Sequence, residues 1–204
     1  MKKSFSPARL LSVALHPVLM PFITLLLLLK FHTYIAGLLP VRQIFMLSAV
    51  ILITTVICPL LMIWFFYRLR AVESLLMEKR QERTFPLLIT AVFFYLTYYM
   101  LKGTGVSALF SYFLLGSTLL IVLCLFINFF FKISLHMAGI GGMTGFWTGL
   151  CIRQGTPHEF LIAGLLLACG LLAYARMTEG KHSATEVISG LLLGAGLMYL
   201  LMMI

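Results

Sequence analysis

The amino-acid sequence predicts an all-α protein: a bundle of six to seven membrane-spanning helices forming a single transmembrane domain over residues 1–204. Three observations carry this expectation. The chain is 62% hydrophobic, with a mean hydropathy of +1.08. Only 10% of it is charged, against about a quarter in a typical soluble domain, so it cannot cover a water-facing surface. Its apolar residues also come in continuous runs near the roughly 20 residues that a helix needs to cross a bilayer. A membrane β-barrel would show alternating segments instead.

The first apolar segment covers residues 10–29. His16–Pro17 and Pro21 interrupt it, and they predict a kinked helix or a re-entrant hairpin. Met1, Lys2 and Lys3 before this run are similar to the start of a secretory signal. The prolines break the run, however, and no small-residue cleavage site follows, so the segment is expected to be retained. The remaining segments are 43–67, 84–101, 107–131, 133–152, 159–175 and 183–204, with charge confined near their ends. Pro86 falls in the first turn of 84–101, where proline is tolerated. In 133–152 the small residues Ala138, Gly139, Gly141, Gly142 and Gly145 predict close packing against another helix.

The net charge of +9 comes from 15 Lys and Arg against six acids, all of them Glu. If all seven segments cross, one face carries Lys2, Lys3, Arg9, Arg68, Arg70, Lys79, Arg80, Arg83, Lys132, Arg176 and Lys181, and the other Lys30, Arg42, Lys102 and Arg153. The positive-inside rule assigns the richer face to the cytoplasm. If the first segment does not cross, the N-terminus lies opposite that face. Such a charge suits anionic headgroups or an anionic substrate. No basic soluble domain exists to hold nucleic acid, which is not an expected partner. Cys58, Cys124, Cys151 and Cys169 sit inside apolar runs without metal-type spacing and read as small core hydrophobes.

Three short stretches concentrate the chemistry. In the first, His182 and Glu186 stand four apart at the start of the last segment, on one side of a helix. A carboxylate there accepts an imidazole N–H, fixes the tautomer and leaves the other nitrogen to attack or to take a proton. Arg176 ends the preceding segment and suits phosphate through its planar fork. In the second, Lys132, Ser134 and His136 open the fifth segment, at a helix N-terminus that offers free N–H groups to an anion. In the third, Glu78-Lys79-Arg80-Gln81-Glu82-Arg83 precedes Pro86. Read singly, these could be a structural ion pair, a helix cap and a basic loop. Even numbers of segments separate them, so all three are expected on the same membrane face. His16, His32 and His158 have no companions at useful spacing and are assigned to interfacial or core roles.

At these positions the chain resembles a divergent member of the type 2 phosphatidic acid phosphatase superfamily. The family's third motif is S-R-x5-H-x3-D. Here Ala175-Arg176, five residues, His182, three residues and Glu186 are similar to it, with Ala for Ser and Glu for Asp. Its second motif is P-S-G-H, of which Ile133-Ser134-Leu135-His136 keeps the Ser and the His. Its first motif is K-x6-R-P, and Lys79 through Pro86 is similar in kind but not in spacing. The resemblance covers the C-terminal half and the loop near residue 80. The phrase Lys132-Ile133-Ser134-Leu135-His136 also resembles a small bacterial branch of that superfamily, which implies the bacterial inner membrane.

The resemblance implies a helical bundle with its site at one membrane face. His182 would be the nucleophile, Glu186 its orienting acid and His136 the general acid. Arg176, Ser134, Lys132, Lys79, Arg80 and Arg83 would hold phosphate. The implied activity is that of a phosphatase or phosphotransferase on a lipid phosphate or polyprenyl pyrophosphate, through a phosphohistidine and with no metal or other cofactor. The histidines make no recognisable zinc motif. Two departures favour an alternative, a catalytically inactive lipid-phosphate binding or transport protein. Two apolar segments intervene between the first and second motifs, and Leu135 replaces a glycine. An intramembrane prenyltransferase is disfavoured, because such enzymes hold Mg²⁺ through Asp-rich motifs and this chain has no Asp.

Overall fold

Pro17 restricts the residue before it, and His16 accordingly belongs to no helix. The interruption expected at His16–Pro17 is therefore present. Helix α1 (Pro7–Ala14) ends there, a single 3₁₀ turn (Pro17–Leu19) follows, and α2 (Met20–Phe31) begins with Pro21 in its first turn, where the missing N–H costs nothing. The structure, a computed structural model, describes residues 7–31, 39–70, 81–102, 108–156 and 158–204.

The other α-helices are α3 (Val41–Leu52), α4 (Cys58–Arg68), α5 (Thr84–Leu101), α6 (Ala108–Asn128), α7 (Leu135–Gln154), α8 (Glu159–Thr178) and α9 (Ala184–Met203). Every regular element among the described residues is helical. Six helical stretches among them are long and apolar enough to cross a membrane: Pro7–Phe31, Val41–Arg68, Gln81–Leu101, Ala108–Asn128, Glu159–Thr178 and Ala184–Met203.

Between α3 and α4 the helix widens into a π turn at Ile53–Ile57. Pro59 explains it. Proline has no N–H to give the Thr55 carbonyl, and its ring collides with that carbonyl in a regular helix. The Cys58 amide reaches back five residues to Ile53 instead. The hydroxyls of Thr54 and Thr55 donate to the carbonyls of Val50 and Ile51, each at 2.8 Å.

The described residues pack as two compact units. One joins α1, as far as Pro17, to Phe131–Ile204, and the other runs from Val18 to Phe130. In the second unit, Leu28, Ile51, Phe94, Phe110, Phe113 and Leu114 are buried, while Val41, Phe45, Leu61, Trp64 and Tyr99 are exposed. In the first unit, Met137, Ile140, Phe146, Trp147 and Leu150 of α7 are buried, and Phe160, Leu167, Tyr174 and Leu192 are exposed. Both units thus expose large apolar side chains as well as burying them.

Helix α7 is the predicted segment that falls outside the six, since its glycines dilute its apolar content. Twelve of its residues are buried nonetheless. Gly141, Gly145 and Gly149 form a stripe against Leu191, Ala195, Tyr199 and Met202 of α9, and Gly190 and Gly194 of α9 face Ser134 and Ala138 in return. A Cβ on Gly141 would stand 2.6 Å from the Leu191 carbonyl oxygen, and one on Gly190 would stand 2.5 Å from that of Ser134. At Gly145 and Gly194 it would overlap the carbonyls of Ala195 and Ala138 outright. The close packing expected of this segment is therefore realised against α9 and continues to Gly149. Backbones that touch gain dispersion contacts that need no water to drive them.

Candidate functional site

The glycine seam brings the first residues of α7 and α9 together. The Ser134 amide donates to the Glu186 carbonyl at 3.1 Å. One turn further along α9, Gly190 lies against the Ser134 carbonyl. The two sequence stretches 134–136 and 182–186 consequently begin side by side.

The end of α8 adds the third element. Gly180 takes the left-handed conformation, with φ at 64°. Its amide bonds the Met177 carbonyl at 3.0 Å, and the Lys181 amide bonds that of Arg176 at 3.2 Å. This is a Schellman cap, which reverses the chain within a few residues. The His182 amide reaches the same Arg176 carbonyl at 3.4 Å. The cap thus fastens the backbone of His182 to the last turn of α8 at Arg176, across the five residues that separate them.

His182 Nδ1 lies 2.6 Å from Glu186 Oε2, the two side chains being 2% and 18% exposed. The carboxylate accepts, so the hydrogen sits on Nδ1 and the lone pair on Nε2. Ser183 caps α9, its hydroxyl accepting from the Glu186 amide at 3.4 Å. Ser183-x-x-Glu186 has the sequence of a capping box, in which the acid would fold back to the cap amide. Here its carboxylate bonds the His182 ring.

Helix α1 supplies contacts that sequence reasoning misses. The Ser12 carbonyl accepts from His136 Nε2 at 3.0 Å, which puts the His136 hydrogen on that nitrogen. The Ser12 hydroxyl donates to Glu179 Oε2 at 3.3 Å, and Arg176 Nη1 donates to the same oxygen at 3.4 Å. His16 stands edge-to-face with His136, with ring centroids 5.1 Å apart at 82°. The assignment of His16 to a position without companions is therefore corrected: proline breaks the helix beside it and delivers its ring to His136. His158, half-buried at the start of α8, packs edge-on to Trp147 at 6.3 Å, and His32 lies outside the described residues.

Two polar atoms in this cluster are buried without a hydrogen-bond partner among the described residues: Ser134 Oγ and Arg176 Nε. Orphaned buried groups are rare, because each costs about 1–3 kcal/mol. One is a hydroxyl at a helix N-terminus. The other belongs to a guanidinium whose Nη1 is already turned to Glu179.

His136, Ser134, Arg176, His182 and Glu186 thus belong to one unit and one neighbourhood. Lys132, half-buried, precedes Ser134 by two residues in the same unit. Arg83 is buried at the start of α5, in the second unit. Lys79 and Arg80 lie outside the described residues. Among the described residues no group of three or more His, Cys or Glu side chains has the arrangement to hold a metal ion. Chemically, the cluster offers an imidazole oriented by a carboxylate, a second imidazole of fixed tautomer, and hydrogen-bond donors suited to an anion. No protein-family model, curated protein or solved structure matches the chain.

Proposed function

We propose that this chain is an integral membrane phosphatase or phosphotransferase that acts on a lipid phosphate or polyprenyl pyrophosphate through a phosphohistidine on His182. The observation that carries the proposal is the 2.6 Å contact between His182 Nδ1 and Glu186 Oε2. It fixes the tautomer that makes Nε2 nucleophilic.

His182 Nε2 attacks phosphorus while the bond to the leaving lipid oxygen breaks, and His136, which takes up a proton against the negative charge of the bound phosphate, gives that oxygen a proton. Because the His136 Nε2 hydrogen is held by the Ser12 carbonyl, the transferred proton sits on Nδ1. Water then attacks the phosphohistidine, gives a proton back to His136 and releases orthophosphate. An acceptor alcohol in place of water gives transfer instead of hydrolysis. The Nε edge of Arg176, the Ser134 hydroxyl and Lys132 receive the phosphoryl oxygens, over which the negative charge of the transferring group is spread. Lys79, Arg80 and Arg83 are assigned to phosphate binding by resemblance alone. No step calls for a metal.

Six long apolar helices and an exposed surface rich in Phe, Leu and Tyr support a bilayer as the protein's solvent, since water-soluble monomers rarely expose such patches. The resemblance of the second motif points to a bacterial inner membrane. A lipid substrate reaches a site near the helix ends without leaving that medium.

One observation favours a second reading. Leu135 stands where a glycine would let backbone approach phosphate, and a pocket that binds lipid phosphate without turnover would tolerate it. Purified protein in detergent, given phosphatidate, polyprenyl diphosphate and lipid A in the absence of added metal, should release phosphate from at least one of them. His182→Ala should abolish that release. Binding without release across the panel selects the second reading, and release unchanged in the variant refutes the mechanism.

A further inference from the structure

We propose that Ser12 is a positioning residue that ties the phosphate-binding arm of this site to its acid–base imidazole. The inference rests on the lipid-phosphate reading and adds to it a residue from α1, outside every stretch that carries the resemblance.

Ser12 is 6% exposed, a buried polar residue in a short helix that also exposes Leu10 and Val13 to its surroundings. Both of its polar groups are spent on the site, in two directions. Its carbonyl takes the His136 Nε2 hydrogen at 3.0 Å, so the imidazole can exchange a proton with substrate only through Nδ1. Its hydroxyl gives a hydrogen to Glu179 Oε2, the oxygen that also holds Arg176 Nη1. Arg176 is thereby turned so that Nη1 meets protein while Nε stays unpartnered among the described residues. A guanidinium binds phosphate best through two parallel N–H groups along one edge, and this orientation reserves the Nε edge for it.

The two contacts to Glu179, at 3.3 and 3.4 Å, are long for hydrogen bonds. They aim the guanidinium and add little stability. The Glu179 carboxylate has a second consequence. It is a negative charge close to the anion site, so it opposes tight retention of orthophosphate after turnover. Ser12 orients that carboxylate, Glu179 orients Arg176, and α1 becomes part of the site.

Orthophosphate binding to the purified full-length protein, measured by calorimetry, tests the chain of contacts. Ser12→Ala keeps the carbonyl and removes the hydroxyl, and it should weaken binding about three- to tenfold. Ser12→Thr should restore it. In a Glu179→Ala background the hydroxyl has nothing to aim, so adding Ser12→Ala should change nothing further. Glu179→Gln keeps both hydrogen bonds and removes the charge, and should tighten binding. Should Ser12→Ala fail to fold, Ser12→Cys carries the test: it keeps the side-chain size and the carbonyl, puts a weak S–H donor in place of the hydroxyl, and should weaken binding in the same direction.

Wild-type affinity in Ser12→Ala, additive effects in the double variant, or weaker binding in Glu179→Gln would each overturn the proposal. Lipid turnover by the wild type decides the underlying reading separately. A protein that binds orthophosphate with this pattern but releases none from lipids refutes catalysis alone. One that turns over lipid but ignores Ser12→Ala refutes the role of Ser12 alone.

Discussion

The amide of Ser134 donates to the carbonyl of Glu186 across 3.1 Å, joining the first turns of α7 and α9 and, with them, the residues that flank His136 and His182. That bond forms because five glycines let the two helices touch backbone to backbone. Packing and chemistry are therefore coupled here: whatever spreads the seam also separates the two imidazoles.

Substituting the seam should cost stability and function together. Gly145→Leu and Gly194→Val place atoms inside the carbonyls of Ala195 and Ala138. Overpacking of this kind costs about 1–3 kcal/mol or more, so thermal unfolding in detergent should shift downward and phosphate release should fall with it. Gly164 and Gly196 have open space beside them, and Gly164→Ala and Gly196→Ala should be neutral or slightly stabilising, since alanine is the better helix former.

Two glycine caps offer a matched comparison. Gly155 ends α7 and Gly180 ends α8, both with positive φ, at 62° and 64°. Alanine at either should cost about 1–2 kcal/mol from left-handed strain. Only Gly180→Ala should also reduce phosphate release beyond what the loss of stability explains, because only that cap fastens the His182 amide to the Arg176 carbonyl. Unfolding curves and initial rates on the two variants check this.

Glu186→Gln should lower kcat about 10²- to 10⁴-fold with little change in KM. A glutamine can offer its NH₂ to Nδ1 and hold the ring in the other tautomer, with the hydrogen on Nε2. Steady-state kinetics on whichever lipid the panel identifies provides the measurement.

Arg176→Lys should weaken substrate binding despite the retained charge. Lysine presents a point charge where a two-pronged edge is needed, so KM should rise about tenfold or more while the fold stays intact by circular dichroism.

Much of the fold is legible in hydropathy. The predicted segment 84–101 coincides with α5, and 183–204 differs from α9 by one residue at each end. The segment 159–175 stops short of Thr178 because hydropathy marks where side chains become polar, whereas the helix continues until Gly180 turns the chain. The break at His16 is legible because proline constrains its predecessor. The π turn before Pro59 has a sequence signal too, in Thr54, Thr55 and Pro59, but nothing in an apolar run distinguishes a widened turn from a kink.

Within the site, His182 with Glu186 and Arg176 with His182 are legible because helix and cap geometry are local. Ser12 and Glu179 are not, since their partners in the fold are set by tertiary packing. The contact between Ser12 and His136 spans 124 positions, and no periodicity encodes it. The one available signal is the four-residue spacing of Ser12 and His16, two polar residues on one side of an otherwise apolar stretch, just before a proline.

The central claim is that His182 Nε2 forms a bond to phosphorus. Incubating the purified protein with a lipid substrate labelled with ³²P at its terminal phosphate, then quenching within the first turnover, tests it most directly. The account predicts label on the protein that is lost in acid and survives in base, as a phosphoramidate is, and that is missing from His182→Gln. Phosphate release by the wild type with no such label, or label that persists in His182→Gln, would contradict it.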